Sequence, residues 1–161
     1  MQVPTWLLAA LMLLIFSGCS TVSYSSKGKP ETMSIVEQRR TMMVGKWYGV
    51  APTKEGDQQK WIMERFQNGT YKVMFRIHDA TGKYEQQVEV GEWGISGAIY
   101  FSIMKGVIKD TVLLRADPTK AYHYDAYKII KLDQGEMEYE HAESGDKFKL
   151  KKVPSEFMFS D

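Results

Sequence analysis

The sequence predicts an all-β domain: an eight-stranded antiparallel up-and-down barrel preceded by a short N-terminal helix. Three observations predict it. From Gly45 onward the apolar residues recur with the period of two that a strand imposes on its side chains. Turn signals separate these runs at short intervals, Asn68-Gly69 being the strongest because both residues tolerate positive φ. About eight strands joined mostly by tight turns either stack as a sandwich or close as a barrel, and closure removes the edges that invite aggregation.

The elements follow in chain order. Residues 31–43 carry Ile35, Arg39 and Met42 or Met43 at near-helical spacing, with Thr32 as a candidate cap, and Gly45 ends the helix. Residues 46–50 and 60–67 form the first two strands, separated by Pro52 and a polar loop. Residues 70–78 alternate cleanly, with Tyr71, Val73, Phe75 and Ile77 on one face. The fourth strand spans 84–93, where Gly91 and Gly94 suggest a bulge or bend. The fifth spans 98–104, with Ile99, Phe101 and Ile103 assigned inward. Residues 105–120 read as a strand extension or a rim segment, broken by Asp117-Pro118. Residues 121–132 form the next strand, with Tyr122, Tyr124 and Ala126 inward. The final hairpin, 136–141 and 147–153, sets Met137, Tyr139, Phe148 and Leu150 on one face. Its other face carries three Glu opposite Lys147, Lys149 and Lys151, pairs contributing roughly 0.2 to 1 kcal/mol each.

The N-terminus has a different character. No charged side chain precedes Lys27, and residues 6–16 are an unbroken apolar run. That run is shorter than the roughly 20 residues that span a bilayer, and it suits the apolar region of a secretory signal. It closes with Phe16, Ser17, Gly18 and then Cys19, the sole cysteine. These residues resemble the lipobox of a bacterial lipoprotein signal peptide, although Phe16 stands where an aliphatic is usual and the first five residues lack Lys or Arg. An ordinary signal peptide or an uncleaved anchor are the alternatives. The resemblance implies a signal over residues 1–18 and acylation of Cys19 with chains such as palmitate. It also implies a membrane-attached tether over 19–30, ahead of a domain over 31–161. Ser20, in place of Asp, implies placement at the outer membrane facing the periplasm. Residues 20–30, rich in Ser, Gly and Lys, have a tether's composition.

Composition narrows the function. Of the 161 residues, Lys plus Arg is 21 and Asp plus Glu is 20. The formal charge of +1 argues against a nucleic-acid partner. With 12% aromatic residues the chain is not disordered, and one cysteine excludes an intrachain disulfide or thiolate cluster.

Gly45, Lys46 and Trp47 resemble the Gly-x-Trp motif that opens the first strand in the lipocalin family, within the calycin type of barrel, just after a short helix. The resemblance implies that Trp47 plugs one end of the barrel and that a basic residue of the last strand stacks on it. The last strand has Lys but no Arg, and Arg65 is an alternative. It further implies one small hydrophobic or amphipathic ligand held inside, with Trp61, Tyr71, Phe75, Phe101, Tyr122, Tyr124 and Tyr139 as candidate lining. A ligand-sized cavity would then open between Tyr71, Phe101 and Tyr122. The same aromatic residues suit a packed barrel equally well.

No motif for an enzyme stands out. There is no Gly-x-Ser-x-Gly, no phosphate-binding glycine loop and no helical His-Glu pair. His123, Asp125 and His141 are a faint metal constellation, and solvated surface histidines are the favoured reading, so no metal or cofactor is expected. Glu85 and Glu89 alternate as outward residues do. Two functions remain: a tethered ligand-binding barrel, with 105–120 as its rim or lid, or an interaction or inhibitor lipoprotein with a packed barrel that contacts another envelope protein through loops or a sheet face, where rim residues such as Lys109 and Arg115 would matter.

Overall fold

The computed structural model describes residues 33–53 and 55–160. Helix α1 (Ile35–Met43) is followed by β1 (Gly45–Pro52), β2 (Gln58–Arg65), β3 (Thr70–His78), β4 (Tyr84–Ser96), β5 (Ile99–Lys109), β6 (Val112–Arg115), β7 (Tyr124–Leu132), β8 (Glu136–His141) and β9 (Lys147–Val153). All pairings are antiparallel and run β4-β3-β2-β1-β9-β8-β7-β5, with β4 also paired to β5. Eight strands therefore close into the expected up-and-down barrel. Strand β6 and strand β7 pair with successive stretches of one edge of β5. They act as one strand interrupted by residues 116–123, which include a 3-10 turn at Ala121–His123. The uncertain 105–120 segment is thus mostly ladder rather than lid.

The helix begins at Ile35 with Ser34 as its cap, and the cap candidate Thr32 lies outside the described residues. Ser34 and Glu37 form a capping box: the Glu37 amide donates to Ser34 Oγ at 3.2 Å, and the Ser34 amide donates to Glu37 Oε2 at 2.8 Å. Arg39 donates to the Gly97 carbonyl at 2.7 Å and Arg40 to the Gln67 carbonyl at 3.0 Å. Those carbonyls belong to the β4–β5 and β2–β3 turns, so α1 lies across the end of the barrel where β1 begins.

The register sorts inside from outside. The inward row runs Trp47, Met63, Val73, Glu89 across β1 to β4. On β5 and β7 it runs through Tyr100, Ser102, Asp125 and Tyr127. This reverses the expected phase of both strands: Ile99, Phe101 and Tyr124 face outward, each about 40–50% exposed. Tyr122 falls in the 3-10 turn at 73% exposure. The physical reason for Phe101 is visible on its neighbour. Its ring lies over Gly94 on the outer surface, where a Cβ would come within 2.3 Å of the ring. Glu85 and Glu89 face the same side as Ile77 and Val73, so they are inward and not outward, whereas Val88 is outward. Ile77 is on the inner face as expected but 41% exposed, because at this end β1 to β4 run on past their last pairs with β9 and β5.

The last hairpin matches expectation. Glu136, Glu138 and Glu140 oppose Lys151, Lys149 and Lys147. Lys149 reaches Glu138 at 3.4 Å and Lys147 reaches Glu140 at 3.7 Å, while Glu136 turns to Lys131. A feature without sequence warning is the segment 154–160, which runs back over the outside of β1 to β3. Lys46 Nζ donates to the carbonyls of Ser155 and Phe157, and Tyr48 packs on Phe157 and Phe159. The Arg76 guanidinium lies between the rings of Tyr84 and Phe159, 4.2 and 4.7 Å from their centroids.

The β5–β6 turn holds Asp110 at φ 49° and Thr111 at φ 71°. Left-handed backbone is unfavourable for a β-branched residue. Thr111→Gly is expected to stabilise the protein by about 1 kcal/mol, read as a higher midpoint in urea. An unchanged or lower midpoint would contradict this.

Candidate functional site

The two ends of the barrel differ. At the α1 end the interior is closed by large side chains. Trp47 is fully buried, and its indole Nε1 donates to the Met43 carbonyl at 2.9 Å. Lys152 Nζ lies 5.2 Å from the Trp47 ring and donates to the Met42 carbonyl at 3.1 Å. The basic residue stacked on the plug is therefore Lys152 of the last strand, where the resemblance places it. Gly45, at φ 108°, lets the chain leave α1 with its Cα beside the Lys152 stem. Arg65 stacks on Tyr100 instead, its Cζ 4.6 Å from the ring. A second stack, of Arg40 on Trp93 at 4.7 Å, closes the same end.

The middle is aromatic. Trp61, Tyr71 and Tyr139, all proposed as lining, are buried, and Phe75 packs against them partly buried. Trp61 meets Phe148 edge-on at 6.0 Å, and Tyr139 stacks on Phe148 at 5.4 Å. Tyr100 stacks on Tyr127 at 5.2 Å. Of the seven lining candidates the structure brings four together inside and puts Phe101, Tyr122 and Tyr124 outside. The cavity expected between Tyr71, Phe101 and Tyr122 consequently has no common face to form on. Tyr100, Tyr127 and Trp93 take the inner positions that sequence reasoning missed. Burial pushes the phenols of Tyr71, Tyr127 and Tyr139 well above the usual tyrosine range.

The other end is open and polar. The inward residues there are Glu89, Asp125 and His141, with the Asp125 side chain 39% and that of His141 19% exposed. His141 Nε2 lies 3.3 Å from Asp125 Oδ1, and Gln87 donates to Glu89 Oε1 at 2.7 Å. Nearby His123 is 4% exposed, and its Nδ1 has no hydrogen-bond partner among the described residues. It is a buried residue rather than the solvated one expected. Among the described residues, no His, Asp and Glu group has metal-binding geometry. A hollow of about 590 Å³ lies at this same end, between Asp57 and the overhanging β3–β4 hairpin at Ile77, Asp79, Lys83, Tyr84 and Glu85.

Burial raises the Glu89 carboxyl above its ordinary 4.5, and the Asp125 charge adds to the rise, against the Gln87 hydrogen bond and His123. The folded state thus binds this proton more tightly than the unfolded chain. Stability from this group grows as pH falls through the raised value, and the gain is complete below about 4.5. At neutral pH the ionised Glu89 opposes folding. Glu89→Gln should be more thermally stable than the parent at pH 7, with the advantage narrowing towards pH 4. Equal melting at both pH values would show that the carboxyl is fully solvated.

Fold and interior together define a closed eight-stranded antiparallel up-and-down barrel, with a short helix and the Trp47 plug at one end and an open polar end at the other. The structure is similar to a lipocalin-like protein from Bacteroides uniformis, with a TM-score of 0.41 and 18% sequence identity over 70% of this chain and 99% of that chain. No family model and no curated protein matches the chain. The positions of the expected signal over 1–18, the expected acylation at Cys19 and the expected tether over 19–30 lie outside the described residues.

Proposed function

We propose that this is a lipid-anchored envelope protein whose barrel takes a small hydrophobic or amphipathic ligand through its open end and does no catalysis. On this reading Cys19 carries the anchor and the domain faces the periplasm from the outer membrane. The observation that carries the ligand reading is the asymmetry of the barrel. One end is sealed by Trp47, Lys152 and α1, while the inward residues Glu89, Asp125 and His141 at the other reach solvent. Native mass spectrometry of protein purified from its own host should show adduct mass that organic extraction removes. Bare protein that also leaves a lipophilic dye unbound would sink the idea. Metabolic labelling with palmitate, lost on Cys19→Ala, tests the anchor.

A second reading is an interaction lipoprotein. It is favoured by the outward cluster Ile99, Phe101 and Tyr124 beside Tyr122, an apolar patch of the sort partners cover. Site-directed crosslinking from Phe101 in the envelope should then capture one specific protein. A ladder of abundant envelope proteins would count against it.

A further inference from the structure

Strand β6 has one edge without a partner. It pairs with β5 on one side, and no described strand pairs with it on the other. The alternation of the ladder says which backbone groups are left over. The Ala116 amide donates to the Lys105 carbonyl at 2.9 Å. Counting back by twos, Leu114 and Val112 also turn their N–H and C=O groups towards β5. Leu113 and Arg115 therefore turn theirs the other way, to an edge that a further strand would fill.

The side chains along that edge are apolar on both faces of the strand. Val112, Leu113 and Leu114 are 58%, 46% and 52% exposed. Edge strands are ordinarily blunted by Lys, Pro or an inward-pointing charge, and none stands within Val112–Leu114. The two ends of the strand carry opposite charges. Asp110 precedes it in the β5–β6 turn and Arg115 is its last residue; both are exposed, and neither has an ion pair among the described residues. Lys109 lies on β5 opposite Val112, one strand away from the free edge.

We propose that β6 docks the β6 of a second copy of this chain, edge to edge and antiparallel, about a two-fold axis beside Leu113. Leu113 of each copy then exchanges both backbone hydrogen bonds with its counterpart, and Val112 stands opposite Leu114. Arg115 of each copy reaches the turn that carries Asp110 of the other. Reversing the strand is what brings base to acid; a parallel copy would set Arg115 beside Arg115 and Asp110 beside Asp110. The same patch serves both copies, so the contact closes at two chains rather than growing into a fibre. A strand this short covers far less than the roughly 1,200 Å² of a stable interface, so the dimer is weak and concentration-dependent. It forms whether or not the barrel carries a ligand.

Sedimentation of the full-length protein from about 1 μM to 1 mM should show its mass rising from one chain towards two. Leu113→Pro is the discriminating variant. The N–H it removes is one that β5 does not use, so the barrel keeps its fold, while the midpoint of dimer formation should rise at least about tenfold in concentration. Ile99→Lys, in the outward cluster of β5, should leave that midpoint unchanged. Mild oxidation of Leu113→Cys should give a disulfide-linked pair, because residues opposite each other in a hydrogen-bonded pair have Cα atoms about 5.5 Å apart. The parent, with Cys19 alone, and Tyr122→Cys, more exposed but off the edge, should not. A single chain at every concentration would overturn the proposal. So would a dimer that survives Leu113→Pro or is lost on Ile99→Lys instead, since either places the contact elsewhere. Should Leu113→Pro fail to fold, the cysteine comparison decides alone. Crosslinking from position 113 in the envelope that captures a different protein in place of a second copy would overturn the choice of occupant.

Discussion

Trp47→Ala is expected to destabilise the barrel by about 3 to 5 kcal/mol, a fall in melting temperature of roughly 10 °C or more. Three losses combine. The indole is fully buried, so its removal leaves a large hole between α1 and the strands. The Met43 carbonyl at the end of α1 loses the Nε1 hydrogen bond. Lys152 loses the ring under its ammonium. Lys152→Ala removes the last of these together with the hydrogen bond to the Met42 carbonyl, and should cost about 0.5 to 2 kcal/mol. Urea denaturation of both variants separates the terms. A cost for Trp47→Ala of less than about 1 kcal/mol, the size of an ordinary substitution, would mean that the ring does not plug the barrel.

Gly91→Ala should have an effect of similar order, about 2 to 3 kcal/mol, from the addition of one methyl group. A Cβ at this position falls 2.2 Å from the Ile103 backbone oxygen and 2.6 Å from the Tyr71 ring. The ladder shifts register between Val90 and Gly91, so the strands β4 and β5 are already adjusted to this close approach. A ring inside a packed barrel and a backbone oxygen in a ladder have little room to retreat. Gly135→Ala is the matched control, because the nearest atom to its Cβ is 3.9 Å away; it should stay within about 0.5 kcal/mol of the parent. Circular dichroism melts of the two variants give the comparison. Parity between them would place the β4–β5 approach elsewhere.

These glycines also explain which parts of the interior were legible. In the last hairpin one face is Glu and Lys and the other is Met137, Tyr139, Phe148 and Leu150, so polarity alone assigns inside and outside. In β3 the alternation is similarly one-sided near Tyr71 and Val73. Strand β5 offers no such contrast. Both rows are largely apolar, and the more apolar one, Ile99, Phe101 and Ile103, is the outer one. Strand β7 misleads in the same way, because its inner row includes Asp125 and its outer row includes Tyr124. The cue available in the sequence was the glycine opposite each ring. Gly91 faces Tyr71 inside, and Gly94 faces Phe101 outside.

The candidate site divides along the same line. Gly45 and Trp47 were readable because a three-residue motif beside a helix is local. Tyr71, Phe75 and Tyr139 were readable because they lie on strands of clear alternation. Arg65 was noticed only as a possible partner for Trp47, since a charged residue at the end of a strand ordinarily faces water. The polar end formed by Glu89, Asp125 and His141 joins three strands, and no spacing within one strand reveals it.

The sequence by itself determined the strands, the tight hairpins, the short helix and the motif at the base, because each depends on residues within a few positions of one another. Only the tertiary structure decided which face of β5 and β7 lines the barrel, that Lys152 covers the plug, that residues 154–160 strap the outer wall, and that Arg65 is buried against Tyr100. Those outcomes depend on contacts between residues far apart in the chain. When both faces of a strand are apolar, its own pattern cannot say which is inside; the closure of the barrel and the space its glycines leave settle the choice.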